Sequence, residues 1–269
     1  MPNNKDNNNT PWVEKYRPKS LEEMALPTAK LNRQKVNLAE ELKKFISNFF
    51  QKIEAINQKN RKIRSHNRTA TEAEQKETLN LDIEASAVLL EGKPGIGKTS
   101  IVYALANDLN MEVIETNASD TRTRSALEAK LKETSKSRGI MDFISETKKK
   151  IILIDEVDGI YGTKDRGAVP AILDLIEETQ FPIIMCANEY QSSLSSLYNK
   201  VPKYEVHPLS DKKVMKIAEH IIKEEGLINL TSEELELIIS KNNGDLRGVI
   251  NDLQAMAQIS GKTRRRMRK

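Results

Sequence analysis

The chain has 269 residues, 38% hydrophobic, 30% charged and only 4% aromatic, with a formal net charge of +4. That length is enough for one large or two smaller domains with a buried core, and the composition excludes a fibrous or low-complexity chain. A single cysteine, Cys186, excludes an internal disulfide or a paired-cysteine zinc site, and no apolar run approaches the ~20 residues that span a bilayer.

In chain order, Met1 to Thr10 is polar and asparagine-rich, which predicts a disordered tail and not a secretory signal; the expected location is the cytoplasm or nucleoid. From Ala29 to about Asn57 a helical pattern dominates, with Leu38, Leu42, Phe45, Ile46, Phe49, Ile53 and Ile56 at three- and four-residue steps. Gln58 to Asn80 is polar and charged without apolar periodicity, which predicts a flexible loop or a solvated helical extension. Residues 46–84 are thus expected as an inserted helical or flexible segment.

The pattern then changes to short apolar runs alternating with helix-length segments. Ala87 to Glu91, Glu112 to Thr116, Ile151 to Asp155 and Pro182 to Ala187 read as buried strands, with helices over Ser100 to Leu109 and Val169 to Thr179. Alternation of this kind predicts an α/β domain whose parallel sheet is covered on both faces. From Ser210 onward only helical patterns remain. Val214, Ile217, Ala218, Ile221 and Ile222 mark one helix closed by Gly226, Thr231 with Glu234 makes a capping-box start for a second, and Asp245 caps a third. The expected organisation is an α/β nucleotide-binding domain over 11–207, a small helical lid over 208–260 and a basic tail over 261–269. Lys262 to Lys269 carries six positive charges, which leaves −2 for the rest of the chain. Such a tail is either a solvated end or an electrostatic hold on DNA phosphates.

Gly92-Lys-Pro-Gly-Ile-Gly-Lys-Thr99 fits the phosphate-loop pattern G-x-x-x-x-G-K-[ST] in full, between a predicted strand and a predicted helix. The glycines let backbone N–H groups turn toward phosphates, and the helix N-terminus adds partial positive charge. Lys98 is expected to reach the β- and γ-phosphates of ATP and Thr99 to ligate Mg2+. Gly92, Lys93, Pro94, Gly95, Ile96, Gly97 and Ser100 complete the expected cradle. The bland alternative is a glycine turn that merely caps a helix.

A phosphate loop needs a carboxylate at a nearby strand end to hold the metal. Asp155 and Glu156 follow four apolar residues at the carboxyl edge, where ligands bind in open α/β sheets. Asp155 is expected at Mg2+ and Glu156 at the attacking water; an ordinary turn into a helix is the alternative for the pair taken alone. Asn188 ends the next strand, where its amide would meet the attacking water or the γ-phosphate. Arg247 falls in the first turn of the third lid helix, where the macrodipole disfavours a cation. That placement suggests an anion partner across the domain cleft, against the alternative of a surface pair with Asp245.

These elements, in this order, resemble the AAA+ ATPases. Trp12-Val-Glu-Lys-Tyr-Arg-Pro-Lys-Ser20 looks like the opening box of replication factor C subunits, which that family lays against adenine, so Tyr16, Arg17 and Pro18 join the expected nucleotide contacts. Thr116-Asn-Ala-Ser-Asp120 is similar to another box of the family and Gly244-Asp-Leu-Arg247 to its sensor-2 motif. Asp155 to Ile160 with Lys164 to Gly167 looks like the large-subunit form of this region. Small subunits carry a Ser-Arg-Cys trio whose arginine enters a neighbour's ATP site; here Asn199, Lys200 and Val201 stand in its place.

The resemblance implies an AAA+ α/β domain with a five-stranded parallel sheet followed by a helical lid. It also implies ATP and Mg2+ as ligands and an assembly with small subunits that opens a sliding clamp on primer–template DNA. The arginine that completes the ATP site would come from a neighbour. It puts Arg122, Arg124, Lys164 and Arg166 along duplex phosphates without sequence reading. Ile140, Met141, Phe143 and Ile144 stand where the family docks its clamp, or else pack the protein's own core. The family's subunits continue into a collar domain, whereas here only a few residues follow the third lid helix. A fragment, a split-gene half and a divergent form all fit. Two rival readings keep the same core: an AAA+ repair or helicase-remodelling ATPase, and a non-hydrolysing nucleotide- and DNA-binding scaffold. A scaffold has no need of Glu156.

Overall fold

The computed structural model describes residues 10–117, 149–159, 168–227 and 230–267. Arg122, Arg124, Ile140, Met141, Phe143, Ile144, Lys164 and Arg166 lie outside these residues, as do Met1 to Asn9 and the side chains from Ser260 onward.

Strands β1 (Thr28–Leu31), β2 (Gln34–Val36), β3 (Ala87–Glu91), β4 (Glu112–Asn117), β5 (Lys150–Asp155), β6 (Ile183–Ala187) and β7 (Lys203–His207) form one sheet in the order β2-β1-β7-β3-β6-β5-β4. The five from β7 to β4 are mutually parallel, the number the family resemblance implies; the apolar pattern alone marks four of them and misses β7. Two antiparallel strands extend this sheet at the β7 edge.

That extension corrects the expectation of helix from Ala29. Asn32 and Arg33 both take positive φ, 49° and 68°. Two consecutive left-handed residues make the turn whose twist suits a two-residue hairpin. Helix α2 (Leu38–Asn67) starts only after it, capped by Asn37, whose Oδ1 accepts from the Glu40 N–H at 3.4 Å.

Each strand's alternation sends side chains to two cores. Val88, Leu90, Ile151, Leu153, Ile184 and Cys186 pack under α2 and α4 (Lys98–Asp108). Leu89, Ile152, Ile154, Ile183 and Met185 pack on the other face against the short helix α3 (Ile83–Ser86), α5 (Ala168–Glu178) and α6 (Ser195–Tyr198). The sheet is therefore covered on both faces, which is why its strands read as nearly continuous apolar runs.

Three helices follow: α7 (Asp211–Glu225), α8 (Ser232–Asn242) and α9 (Leu246–Met267). Gly226 closes α7 at φ 65°, Thr231 and Glu234 complete a capping box on α8, and the Asp245 carboxylate accepts from the Gly248 N–H at 2.9 Å at the start of α9. Val214, Ile221, Leu235, Val249 and Leu253 form their shared core, and Trp12 of the short helix α1 (Trp12–Lys15) joins it. Helix α9 runs on through Met267, into the basic run.

The polar stretch after Asn57 divides in two. Its first part is the helical extension, to Asn67; its second is an extended strap fixed to that helix. The Asn60 amide donates to Leu79 O and accepts from Leu79 N, both at 2.8 Å, and Asn67 does the same with Lys76 at 2.7 and 3.0 Å. Phe49, Ile53 and Leu81 bury a small core beneath the strap.

Candidate active site

The register brings the carboxyl ends of the parallel strands level. Glu91 lies opposite Ala187 and Asp155 opposite Asn117, so the residues that follow β3, β5 and β6 leave the sheet on one edge. Gly97 begins α4 at φ 95°, and Gly95 takes φ 70°. A Cβ on Gly95 would stand 1.7 Å from Asp245 Oδ1, so the loop packs directly against the start of α9.

Lys98 is only 6% exposed. Its ammonium donates to Gly92 O at 2.6 Å, Lys93 O at 2.9 Å and Asn188 Oδ1 at 2.9 Å. Burial lowers its pKa; the charges of Asp155 and Asp158 oppose the shift and that of Arg247 adds to it. The Thr99 hydroxyl donates to Asp155 Oδ2 at 2.8 Å, and the Glu156 N–H donates to Asp155 Oδ1 at 2.9 Å. Glu156 itself takes φ 52°, a left-handed conformation uncommon for a residue with a side chain. Its Oε2 accepts from Asn117 Nδ2 at 2.7 Å.

A cavity of about 270 Å³ opens between this edge and the helices. Of the expected residues, Tyr16, Arg17, Pro18, Pro94, Gly95, Gly97, Lys98, Thr99, Ser100, Asp155, Glu156, Asn188 and Arg247 all line it. Gly92, Lys93 and Ile96 do not. The first two lend carbonyls to Lys98, and Ile96 is buried in the core and touches a neighbouring groove. That groove, about 600 Å³, is lined in part by Tyr16, Arg17, Met24, Ile96, Ile217 and His220.

Arg247 makes no ion pair among the described residues, and Asp245, the alternative partner, instead caps α9. Arg17 donates to Glu14 at 2.6 Å and lies over the Tyr103 ring at 5.7 Å; the Tyr103 hydroxyl donates to Glu115, another lining residue. Tyr16 OH donates to Glu225 Oε1 at 2.8 Å, and burial with that carboxylate raises its pKa.

Sequence reasoning missed Asn117 as a partner of Glu156, although it lies inside a quoted box. The available signal was its place at a strand end, one strand from Asp155. Glu115 and Ile250 also line the cavity without a motif to mark them, as do Val13 and Leu246, which lie inside quoted boxes without being singled out as contacts.

The Thr99 hydroxyl and Asp155 carboxylate are hard oxygen donors, which fits Mg2+, an ion held by one or two carboxylates plus phosphate oxygens. Among the described residues no cluster of three His, Cys, Asp or Glu forms a self-contained metal cage, and no helix is long and apolar enough to cross a membrane.

Residues 88–208 match the family described as "ATPase family associated with various cellular activities (AAA)". The replication factor C large subunit of Sulfolobus acidocaldarius is 37% identical over 252 residues, 93% of this chain and 48% of that protein. The large subunit of Thermofilum pendens is 41% identical over 172 residues, 64% of this chain and 40% of that protein. That of Halorubrum lacusprofundi is 36% identical over 185 residues, 66% and 37%. The chain spans about half the length, or less, of the curated relatives it matches. It carries an AAA-family ATPase domain and is a relative of the archaeal replication factor C large subunits.

Proposed function

We propose that this chain binds and hydrolyses ATP as part of a clamp-loader large subunit, which opens a sliding clamp and places it on primer–template DNA. The observation that carries the ATP-site reading is the cavity, with Lys98, Thr99, Asp155, Glu156 and Asn188 on one wall and Arg247 on the other. In this reading Lys98 meets the β- and γ-phosphates, and Asn188 and Arg247 meet the γ-phosphate. Thr99 and Asp155 hold Mg2+, which neutralises phosphate charge when bound. Glu156 orients and polarises the attacking water. Tyr16, Arg17 and Pro18 face the nucleoside, with the adjoining groove as room for the base.

The curated relatives named above are replication factor C large subunits, which supports the clamp-loading client. The site would be completed by an arginine from a small subunit, while Asn199, Lys200 and Val201 offer none in return. Ile140, Met141 and Phe143 are the proposed clamp contact, so Phe143→Ala should weaken clamp binding and leave ATP binding intact. Steady-state hydrolysis by the chain alone, then with small subunits, clamp and primed DNA, tests the assignment. Low activity that rises only with the full set is expected. Activity indifferent to those partners would assign the ATPase to another client.

A further inference from the structure

The exposed end of α2 is charged in a way the nucleotide site does not explain. From Leu38 to Glu54 the helix is balanced, with Glu40, Glu41 and Glu54 against Lys43, Lys44 and Lys52. From Ala55 to Thr71 there is no acidic residue, and Lys59, Arg61, Lys62, Arg64 and Arg68 are all exposed. None of the five makes an ion pair among the described residues.

The helix macrodipole accounts for only part of this, because its pull fades beyond the last turn. Arg64 and Arg68 fall within its reach; Lys59, Arg61 and Lys62 do not. Meanwhile Lys59 with Lys62, Arg61 with Arg64, and Arg64 with Arg68 are like charges three or four residues apart, each pair weakening the helix. The segment holds its shape against this repulsion through the strap, which Asn60 and Asn67 bind through four side-chain-to-backbone hydrogen bonds of 2.7–3.0 Å. At 100° per residue Asn60 and Asn67 lie about 20° apart under the strap with Arg64 at its flank, about 40° from Asn60, while Lys59, Arg61 and Lys62 occupy the rest of the circumference. The strap carries Glu72, Glu74 and Glu77, with Glu74 engaged by Thr71. From Lys59 to the C-cap Arg68 the segment spans roughly 13 Å, about the axial rise of four base steps of a duplex.

We propose that this end of α2 is a sequence-independent contact for the nucleic-acid backbone, held rigid by the strap. Its exposed face mixes Lys and Arg with Gln58, Ser65, His66 and Thr69, side chains suited to phosphate oxygens. The helix itself carries no exposed Trp, Phe or Leu there that would seat it in a membrane surface, and the exposed Leu79 beside it belongs to the strap. The contact lies outside the nucleotide cavity and stands without the ATPase reading.

The test is fluorescence anisotropy of the full chain with labelled duplex DNA across a salt series, with ATP binding measured on the same samples. Replacing Lys59, Arg61, Lys62 and Arg64 with Gln should lower affinity at least tenfold and flatten the log–log salt slope by about 3–4. The corresponding Glu variants should lower it further, and ATP affinity should hold. A control set on other surfaces, Lys43, Lys212, Lys223 and Lys241 to Gln, should keep most of the parent's DNA affinity. Parent-like binding by the α2 variants, equal loss in the control set, or no saturable DNA binding by the parent would each overturn the proposal. Displacement of DNA by poly-glutamate as effectively as by unlabelled duplex would also overturn it, pointing to an acidic protein instead.

Discussion

On the sheet side of the nucleotide cavity, Lys98, Thr99, Asp155, Glu156, Asn117 and Asn188 are joined by side-chain and backbone hydrogen bonds of 2.6–2.9 Å. On the helical side, Arg247 reaches the same cavity from α9 and makes no ion pair among the described residues. One wall therefore has its polar atoms already engaged, and a ligand there must exchange one partner for another. The other wall offers a cation that pairs with no acid among the described residues. Substitution of the buried Lys98 should disturb both folding and binding, because it strands its partly buried partners; substitution of Arg247 should disturb binding alone.

Lys98→Ala is the largest expected effect. It removes the donor to two carbonyls and to Asn188, so ATP affinity should fall more than 100-fold. Tm should drop by several degrees, since each kcal/mol lost is worth about 2–4 °C in a domain of this size. Calorimetric titration and a thermal melt check the two halves separately. Arg247→Ala should weaken ATP binding about tenfold, or ~1.4 kcal/mol, and leave Tm within about a degree of the parent. A large loss of Tm in that variant would erase the contrast between the walls. Asn188→Ala sharpens it from the sheet side: turnover should fall several-fold with a modest Tm loss, because Lys98 keeps its two carbonyl partners. Asn117→Ala is the smallest, expected to lower turnover about threefold at unchanged ATP affinity by freeing the Glu156 carboxylate. A rapid-quench assay measures it, and weakened ATP affinity would mean that Asn117 serves the nucleotide directly.

The sheet-side wall was the more legible of the two. The phosphate loop is contiguous, and its glycines, lysine and threonine announce themselves by spacing. Ala87 to Glu91 and the strand before Asn188 stand out because both faces of the sheet are covered, which makes their side chains apolar without alternation. The bond from Asn117 to Glu156 joins residues 39 apart and depends on the register of two neighbouring strands, which no local pattern carries. The β1–β2 hairpin escaped notice because Lys30, Gln34 and Lys35 blur its alternation and its turn, Asn32-Arg33, lacks a glycine. The strap was invisible for a related reason: Asn60 and Asn67 hold it through amides bonded to backbone 19 and 9 residues away. Such contacts leave no apolar period behind. Arg247 was legible through its charge, placed where the helix itself disfavours one.

In the proposed site this cavity holds ATP, and Glu156 activates the attacking water. Titration of ATP and Mg2+ into the Glu156→Gln chain, followed by recovery of the nucleotide, tests it most directly. Saturable one-to-one binding close to the parent's is expected, with the nucleotide recovered as ATP. Loss of binding, or recovery as ADP at the parent's rate, would contradict it.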